Sequence, residues 1–379
     1  MFPLVDATFA DAARAVEQVQ PAAVLVDAFG ADEAQLVALA GQIFAQKPYL
    51  PVIAVEPDGA LPYNALPFAP HGGNFDRLPA RLRAALRVRA LHTTVLRRLE
   101  DNGLVEINPT RDATVLLIGR GGAYPALSVA LGECMGVVGA FSIEAAATHL
   151  NSRDIDGIVL GEGFTLRVMD AFLTVLSEDA RFRHLPMVLT SKELAPAYEL
   201  PNLEIICGEP SLIAANALPL INQHALEVQL ARTLRAVEAK GLLDPQTGLL
   251  TRSAFDRDFA TAVSRTLLNG GGLSVARFVF DPQNPRAQLD GARIISKLMR
   301  KTDFGAVQPD GAVLVVFADA DLRAAHGIAR RLTAVMRHTT HGRRGGRTEP
   351  SATVATLLPN DTVQSLLTRL HSGAQRAAS

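Results

Sequence analysis

Apolar runs and helical spacings alternate along most of this chain. Between Ala7 and Gln20 the apolar residues Phe9, Ala12, Ala13, Val16 and Val19 recur at helical spacing, and Ala22–Asp27 is a short apolar run ending in an acid. A second helix is predicted over Asp32–Gln46 and a second buried strand over Leu50–Val55. Apolar runs with no polar face, separated by helices, predict a parallel sheet covered on both sides. Residues 112–225 repeat the scheme more fully. Strands are predicted at Thr114–Ile118, Gly136–Ala140, Gly157–Leu160, Pro186–Thr190 and Leu203–Cys207, with helices at Tyr124–Cys134, Ile143–Leu150 and Leu166–Leu176. That density of strand–helix units predicts a doubly wound, flavodoxin-like sheet.

A long helix is predicted from Ser211 to Lys240. Its residues Leu218, Ile221, Ala225, Val228, Ala231, Leu234 and Val237 lie near a repeating seam that could join two chains. From Gly241 onward come helices at Ser253–Leu268, Arg286–Arg300, Leu322–Arg337 and Thr362–Gln375. Strands are predicted at Leu273–Phe280, Ala312–Phe317 and Ser351–Leu357, with a hairpin at Asp310-Gly311. This predicts a mixed-sheet α/β domain.

The chain's 379 residues are 48% hydrophobic and 20% charged, which excludes a disordered or fibrous class. The net charge of -1 hides a gradient. Residues 240–379 hold 19 basic and 11 acidic side chains, so residues 1–239 hold 18 and 27. The C-terminal third therefore favours anions, while nothing in the whole argues for nucleic acid. Residues 77–98 contain seven Arg and no acid, which reads as an exposed basic face on a connecting helix. Cys134 and Cys207 form no metal set and are expected to be buried free thiols in a reducing compartment. The start Met1-Phe2-Pro3-Leu4-Val5-Asp6 lacks a leader pattern, and no apolar run is long enough to span a bilayer, so a cytoplasmic location without membrane insertion is expected. Gly119-Arg120-Gly121-Gly122 lacks the third spaced glycine of a dinucleotide loop and reads as a plain strand–helix turn. The basic loop His338–Arg347 reads as solvated, and no metal is proposed for His338 and His341.

Residues 112–225 resemble a bacterial receiver domain, and residues 1–98 resemble one lacking its opening strand and helix. The family's phosphotransfer needs an acceptor Asp at the end of the third strand, an acidic pair for Mg²⁺, a Thr/Ser and a Lys-Pro. In the second unit Gly161 stands at the acceptor position, Gly119-Arg120 replaces the acidic pair, Thr190 matches, and Glu209-Pro210 replaces Lys-Pro. In the first unit Asp27 matches the phosphoacceptor, but the strand for the acidic pair is missing and Glu56 takes the Thr/Ser place. Asp27 is therefore phosphoacceptor-like and not expected to be phosphorylated.

The C-terminal segment resembles a GGDEF domain, the fold of diguanylate cyclases. Asp244-Pro245-Gln246-Thr247-Gly248-Leu249-Leu250-Thr251-Arg252-Ser253-Ala254-Phe255 is close to the family's opening motif. Pro309-Asp310-Gly311-Ala312-Val313 sits where the signature hairpin belongs, and Val279-Phe280-Asp281-Pro282 keeps at most one acid of the usual D-x-D. Two-metal phosphoryl transfer depends on those carboxylates. One ligand-binding element persists: Arg300-Lys301-Thr302-Asp303 lies five residues before the hairpin, the spacing of the R-x-x-D inhibitory site, and Arg331 falls at the family's additional Arg. An Arg fork can donate to guanine O6/N7 while a carboxylate accepts from guanine N1/N2.

The resemblance implies a receiver–receiver–GGDEF response regulator of the PleD/PopA type. The expected domains are 1–98, a truncated degenerate receiver; 112–225, a pseudo-receiver; 226–240, a linker helix; and 241–379, a degenerate GGDEF domain. The implied function is a cyclic di-GMP effector, not an enzyme, with Arg300, Asp303 and Arg331 holding the ligand. No catalytic residue, metal or cofactor is expected. Signals would pass to a protein partner or through self-association by the receivers and linker helix. A ligand-free scaffold is the alternative, and a residual diguanylate cyclase the third reading.

Overall fold

The computed structural model describes residues 4–70, 74–99, 113–191, 198, 200–300, 302–337, 339–340 and 350–377. The loop His338–Arg347 thus lies almost entirely outside the described residues, as does the start Met1-Phe2-Pro3. The chain divides into two compact units, residues 1–147 with 155–231, and residues 148–154 with 232–379.

The first unit opens with α1 (Phe9–Val19), β1 (Val24–Asp27), α2 (Glu33–Phe44), β2 (Val52–Val55), β3 (Ala65–Phe68) and α3 (Leu78–Leu99). β1, β2 and β3 form a parallel sheet in that order. β3 escapes pattern reading because Pro67 interrupts it; an edge strand tolerates a residue without an N–H. α1 and α2 cover one face, with Val16, Leu36, Leu39 and Ile43 packed on Val26, Val52 and Ala54.

The second series is β4 (Thr114–Ile118), α4 (Tyr124–Cys134), β5 (Gly136–Ala140), α5 (Ile143–Ser152), β6 (Gly157–Leu160), α6 (Leu166–Glu178), β7 (Met187–Leu189), β8 (Leu203–Ile205) and α7 (Pro210–Glu238). All five strands are parallel, in the order β5-β4-β6-β7-β8. This is the flavodoxin-like order. Every β4 residue is buried, as a sheet covered on both faces requires.

The two sheets share one core. Ile53, Leu66, Phe68 and Ala85 from the first series pack with Val115, Leu117, Val159, Ile213, Ala217 and Ile221 of the second. α7 is enclosed there: Ile213, Ala214, Ala217, Leu220, Ile221 and Leu230 are each at most 5% exposed. Burial on several sides explains why no single apolar stripe dominates this helix. Of the seam expected to join two chains, Ile221 and Ala225 lie in this core and Leu218 packs against it, while Val228, Ala231, Leu234 and Val237 are part-exposed.

The arginines of 77–98 also differ from the expected exposed basic face. Arg81 is buried against Glu204, Arg77 donates to the Leu203 carbonyl, and Arg87 forms a two-pronged pair with Glu227 at 2.8 and 3.1 Å. Asn216 adds a bridge: its Oδ1 accepts from the Leu61 N–H at 2.9 Å and its Nδ2 donates to the Gly59 carbonyl at 3.1 Å. Cys134 and Cys207 form no disulfide and are part-buried, where full burial is expected from their apolar runs.

The second unit contains α8 (Arg252–Asn269), β9 (Leu273–Val279), α9 (Pro285–Leu298), β10 (Phe304–Val307), β11 (Val313–Ala318), α10 (Leu322–Met336), β12 (Ser351–Thr356) and α11 (Val363–Ala377). Its four-stranded sheet has the order β10-β11-β9-β12, and every neighbouring pair is antiparallel. The expectation of a mixed sheet is corrected at this level. The helical crossover from β9 to β10 runs past an intervening strand, so the two parallel strands never touch. The β-α-β-β-α-β succession is the split βαβ arrangement. α9 and α10 cover one face through Ala292, Ile295, Ala325, Ala329 and Leu332, and α8 and α11 cover the other through Phe255, Phe259, Leu366 and Leu370. Among the described residues no helix is long and apolar enough to cross a membrane.

Candidate functional site

In the second unit, chemistry-bearing residues gather at the β10–β11 hairpin and at the turn preceding it. The chain leaves α9 at Leu298, and the Asp303 N–H donates to the Arg300 carbonyl at 3.1 Å, closing a turn that starts β10. Asp303 is only 8% exposed, and its Oδ1 accepts from the Ala318 N–H at 3.2 Å. Burial pushes its carboxyl above the ordinary aspartate value, against the Ala318 hydrogen bond and the charge of Arg300, which pull it down. Asp303 is thus anchored between the end of β11 and the start of β10, where it holds one orientation.

Arg300 is exposed in the same turn, and Arg331 is exposed on α10. α9 and α10 share one sheet face, because Ile294 and Ile295 pack with Ala329 and Leu332. Among the described residues the guanidinium of neither Arg300 nor Arg331 has a hydrogen-bond or ion-pair partner. The structure therefore joins Arg300 and Asp303 in one turn. It sets Arg331 on the helix beside α9 with no direct bond to either.

The hairpin is tight. The Gln308 N–H donates to the Ala312 carbonyl at 2.7 Å and the Gly311 N–H to the Gln308 carbonyl at 2.9 Å. Gly311 has φ +79°, a left-handed conformation that favours glycine, and a Cβ there would displace the end of the Gln288 side chain, 2.8 Å away. Asp310 accepts from the Ala312 N–H at 3.1 Å and pairs with Arg277 of β9. Burial raises the Asp310 carboxyl, but the Ala312 N–H and Arg277 outweigh it and hold it below the ordinary value. Sequence reading missed Arg277; a lone charge in the apolar strand Leu273–Val279 was the available signal. Asp281 is exposed beyond β9 and accepts from the Gln283 N–H at 2.9 Å. The opening motif forms a turn in which Asp244 accepts from the Thr247 N–H at 3.1 Å and Gly248 takes φ +74°. No group of three or more His, Cys, Asp or Glu among the described residues is arranged to hold a metal.

The first unit has a cavity of about 60 Å³ at the C-terminal ends of its parallel strands, lined in part by Gly119, Tyr124, Gly161, Glu162, Thr190 and Gly208. A drug-sized ligand needs roughly 300 Å³ or more. The Arg120 and Gly121 N–H groups are both spent on the Glu162 carbonyl, at 2.9 and 3.2 Å. At Gly161 a Cβ would meet the Ile118 carbonyl at 3.4 Å, an ordinary contact, so space does not demand glycine there. Asp27 ends β1 exposed, with its Oδ1 accepting from the Phe29 N–H at 3.2 Å.

No protein-family profile matches the chain. No curated protein matches it either. Solved structures do. The coiled coil and GGDEF domain of DgcB from Caulobacter crescentus in complex with c-di-GMP is 18% identical, over 38% of this chain and 84% of that one, with TM-score 0.32. The FimX GGDEF domain from Pseudomonas aeruginosa is 20% identical, over 36% and 93%, with TM-score 0.33. The diguanylate cyclase SiaD in complex with its activator SiaC, from the same organism, is 18% identical, over 40% and 63%, with TM-score 0.35. At such identities the likeness is one of fold. The expectation that the chain is not an enzyme is corrected here. Its solved neighbours include a diguanylate cyclase.

Proposed function

We propose that the second unit is a GGDEF-type module that binds cyclic di-GMP at Arg300, Asp303 and Arg331, and that the first unit, built from receiver-like halves, passes the signal to a protein partner. The observation that carries this reading is the turn at 300–303. An anchored carboxylate and an exposed guanidinium lie together, with a second exposed guanidinium on the neighbouring helix. Asp303 would accept from a guanine edge, Arg300 would donate to or stack on the base, and Arg331 would neutralise phosphate. None of these contacts needs a metal. The excess of basic residues in this third of the chain suits a dianionic ligand.

Calorimetric titration of the full chain with cyclic di-GMP tests this. Binding in the micromolar range is expected, weakening with added salt. Arg300→Ala should weaken it about tenfold or more, equivalent to ~1.4 kcal/mol. Heat that is absent at ligand concentrations of hundreds of micromolar, or unchanged in Arg300→Ala, refutes the reading. Product analysis with GTP and Mg²⁺ on the same preparation reports whether the chain turns over substrate.

A scaffold without nucleotide is the second reading. It draws on the Oδ1 of Asp303 already being engaged by the Ala318 N–H, a structural role that a ligand would have to share.

A further inference from the structure

The first sheet ends on an open strand. In a parallel ladder the residues of a strand turn alternately toward one neighbour and away from it. The Val24 N–H donates to the Pro51 carbonyl at 2.9 Å and the Ala28 N–H to the Val55 carbonyl at 2.8 Å, so the even-numbered residues of β1 face β2. Leu25 and Asp27 therefore point their N–H and C=O groups outward, along an edge that, among the described residues, no strand covers.

The side chains are open at the same place. Leu25, Ile53 and Leu66 form one row across the sheet. Ile53 is 0% and Leu66 1% exposed, whereas Leu25 is 46% exposed. The apolar face is completed over β2 and β3 and stops at β1. Phe29, 71% exposed, lies just beyond Asp27 in the turn that follows. The opposite face of β1 is closed, with Val26 in the core beneath α1 and α2.

The charge around this edge has one sign. From Glu17 to Asp76 the chain has seven carboxylates and a single Lys or Arg, Lys47. Asp27, Asp32, Glu33, Glu56 and Asp58 are all exposed, and the Gly30 N–H donates to Asp58 at 3.0 Å, drawing that acid to the loop after β1. A second copy of the chain would bring the same carboxylates against these. We propose that the open edge of β1 accepts an extended basic segment of a protein partner as a fourth strand, its apolar residue continuing the Leu25 row and its Lys or Arg answering Asp27. Main-chain hydrogen bonds would supply affinity and the alternate side chains specificity. The inference does not depend on nucleotide binding by the second unit.

The test uses the full chain and three labelled peptides: acetyl-Lys-Thr-Val-Leu-Val-Arg-Lys-amide, its counterpart with Glu and Asp replacing the basic residues, and the basic peptide with Pro for Leu. Fluorescence anisotropy should show the first binding with a Kd of roughly 0.1–1 mM and the other two at least about tenfold weaker. Leu25→Pro removes one outward N–H while leaving the ladder to β2 intact, and should abolish binding. Asp27→Lys, an exposed change, should reverse the preference toward the acidic peptide. Circular dichroism melting establishes that both variants are folded. Equal binding of basic and acidic peptides overturns the proposal, as does wild-type binding by Leu25→Pro, or no binding at about 1 mM. A dimer in sedimentation that Leu25→Pro dissociates also overturns it, in favour of self-pairing.

Discussion

Arg81 of α3 and Glu204 of β8, 123 positions apart, form an ion pair in which each side chain is 1% exposed. Glu204 also accepts from the Ala69 N–H at 3.2 Å, and Arg81 reaches the Leu203 carbonyl at 3.3 Å. The pair therefore ties the three-stranded sheet's helix to the last strand of the second sheet. Removing one partner strands a buried charge, so Glu204→Leu and Arg81→Met should each destabilise by about 3–5 kcal/mol. Arg81→Met with Glu204→Leu should cost far less than the sum, because the desolvation of two charges disappears with them. Urea unfolding of the four proteins measures the cycle. An additive double variant contradicts the coupling.

Asn216 is 5% exposed and satisfies two backbone groups of the loop at 59–61. Asn216→Leu fits an apolar site by size but leaves the Leu61 N–H and Gly59 carbonyl without partners. A loss of about 1–3 kcal/mol is expected, with faster hydrogen exchange at Leu61. If exchange at Leu61 is unchanged, that amide does not depend on Asn216.

Gly305 in β10 has no room for a methyl group: a Cβ would lie 2.7 Å from the Leu314 carbonyl oxygen across the ladder. Alanine normally improves on glycine in a strand by reducing the freedom of the unfolded chain. Here a backbone atom must move, and Gly305→Ala should cost about 1–3 kcal/mol. The change sits two residues from Asp303, so cyclic di-GMP binding should weaken in parallel with the melting temperature. A stabilised variant would show that the strands have slack at this point.

The Asp303 carboxyl is raised above the ordinary aspartate value of 3.8, principally by burial. A raised folded-state value means that the folded protein binds the proton more tightly than the unfolded chain. This group's contribution to stability is then fully present below pH 3.8 and is lost as pH rises through its folded-state value. Asp303→Asn keeps an oxygen for the Ala318 N–H and carries no charge, so at neutral pH it should melt no lower than wild type. Ligand binding should move the other way: it requires the ionised acceptor, strengthens as pH rises through the same window, and falls in Asp303→Asn. Melting and titration of both proteins across pH 4–7 separate the two roles. A lower melting temperature for Asp303→Asn at neutral pH would show that the charge supports the fold.

Local pattern alone was enough for most elements. Thr114–Ile118, Tyr124–Cys134, Gly136–Ala140 and Gly157–Leu160 occupy the residues their periodicity predicts, because strands buried on both faces and short helices write their burial into consecutive residues. The turn at Arg300 and Asp303 was visible for a similar reason, since both residues lie within four positions of one another. Tertiary structure alone decided the rest. Ala65–Phe68 pairs as a strand although Pro67 disguises it, because its place at the sheet edge removes the need for that N–H. The arginines of α3 look like a solvent face until the chain returns to set Glu204 and Glu227 against them. The anchoring of Asp303 is not local either, since the N–H it accepts from belongs to Ala318, fifteen residues later. Burial and charge pairing at such separations depend on which segments meet in space, and no local spacing encodes that meeting.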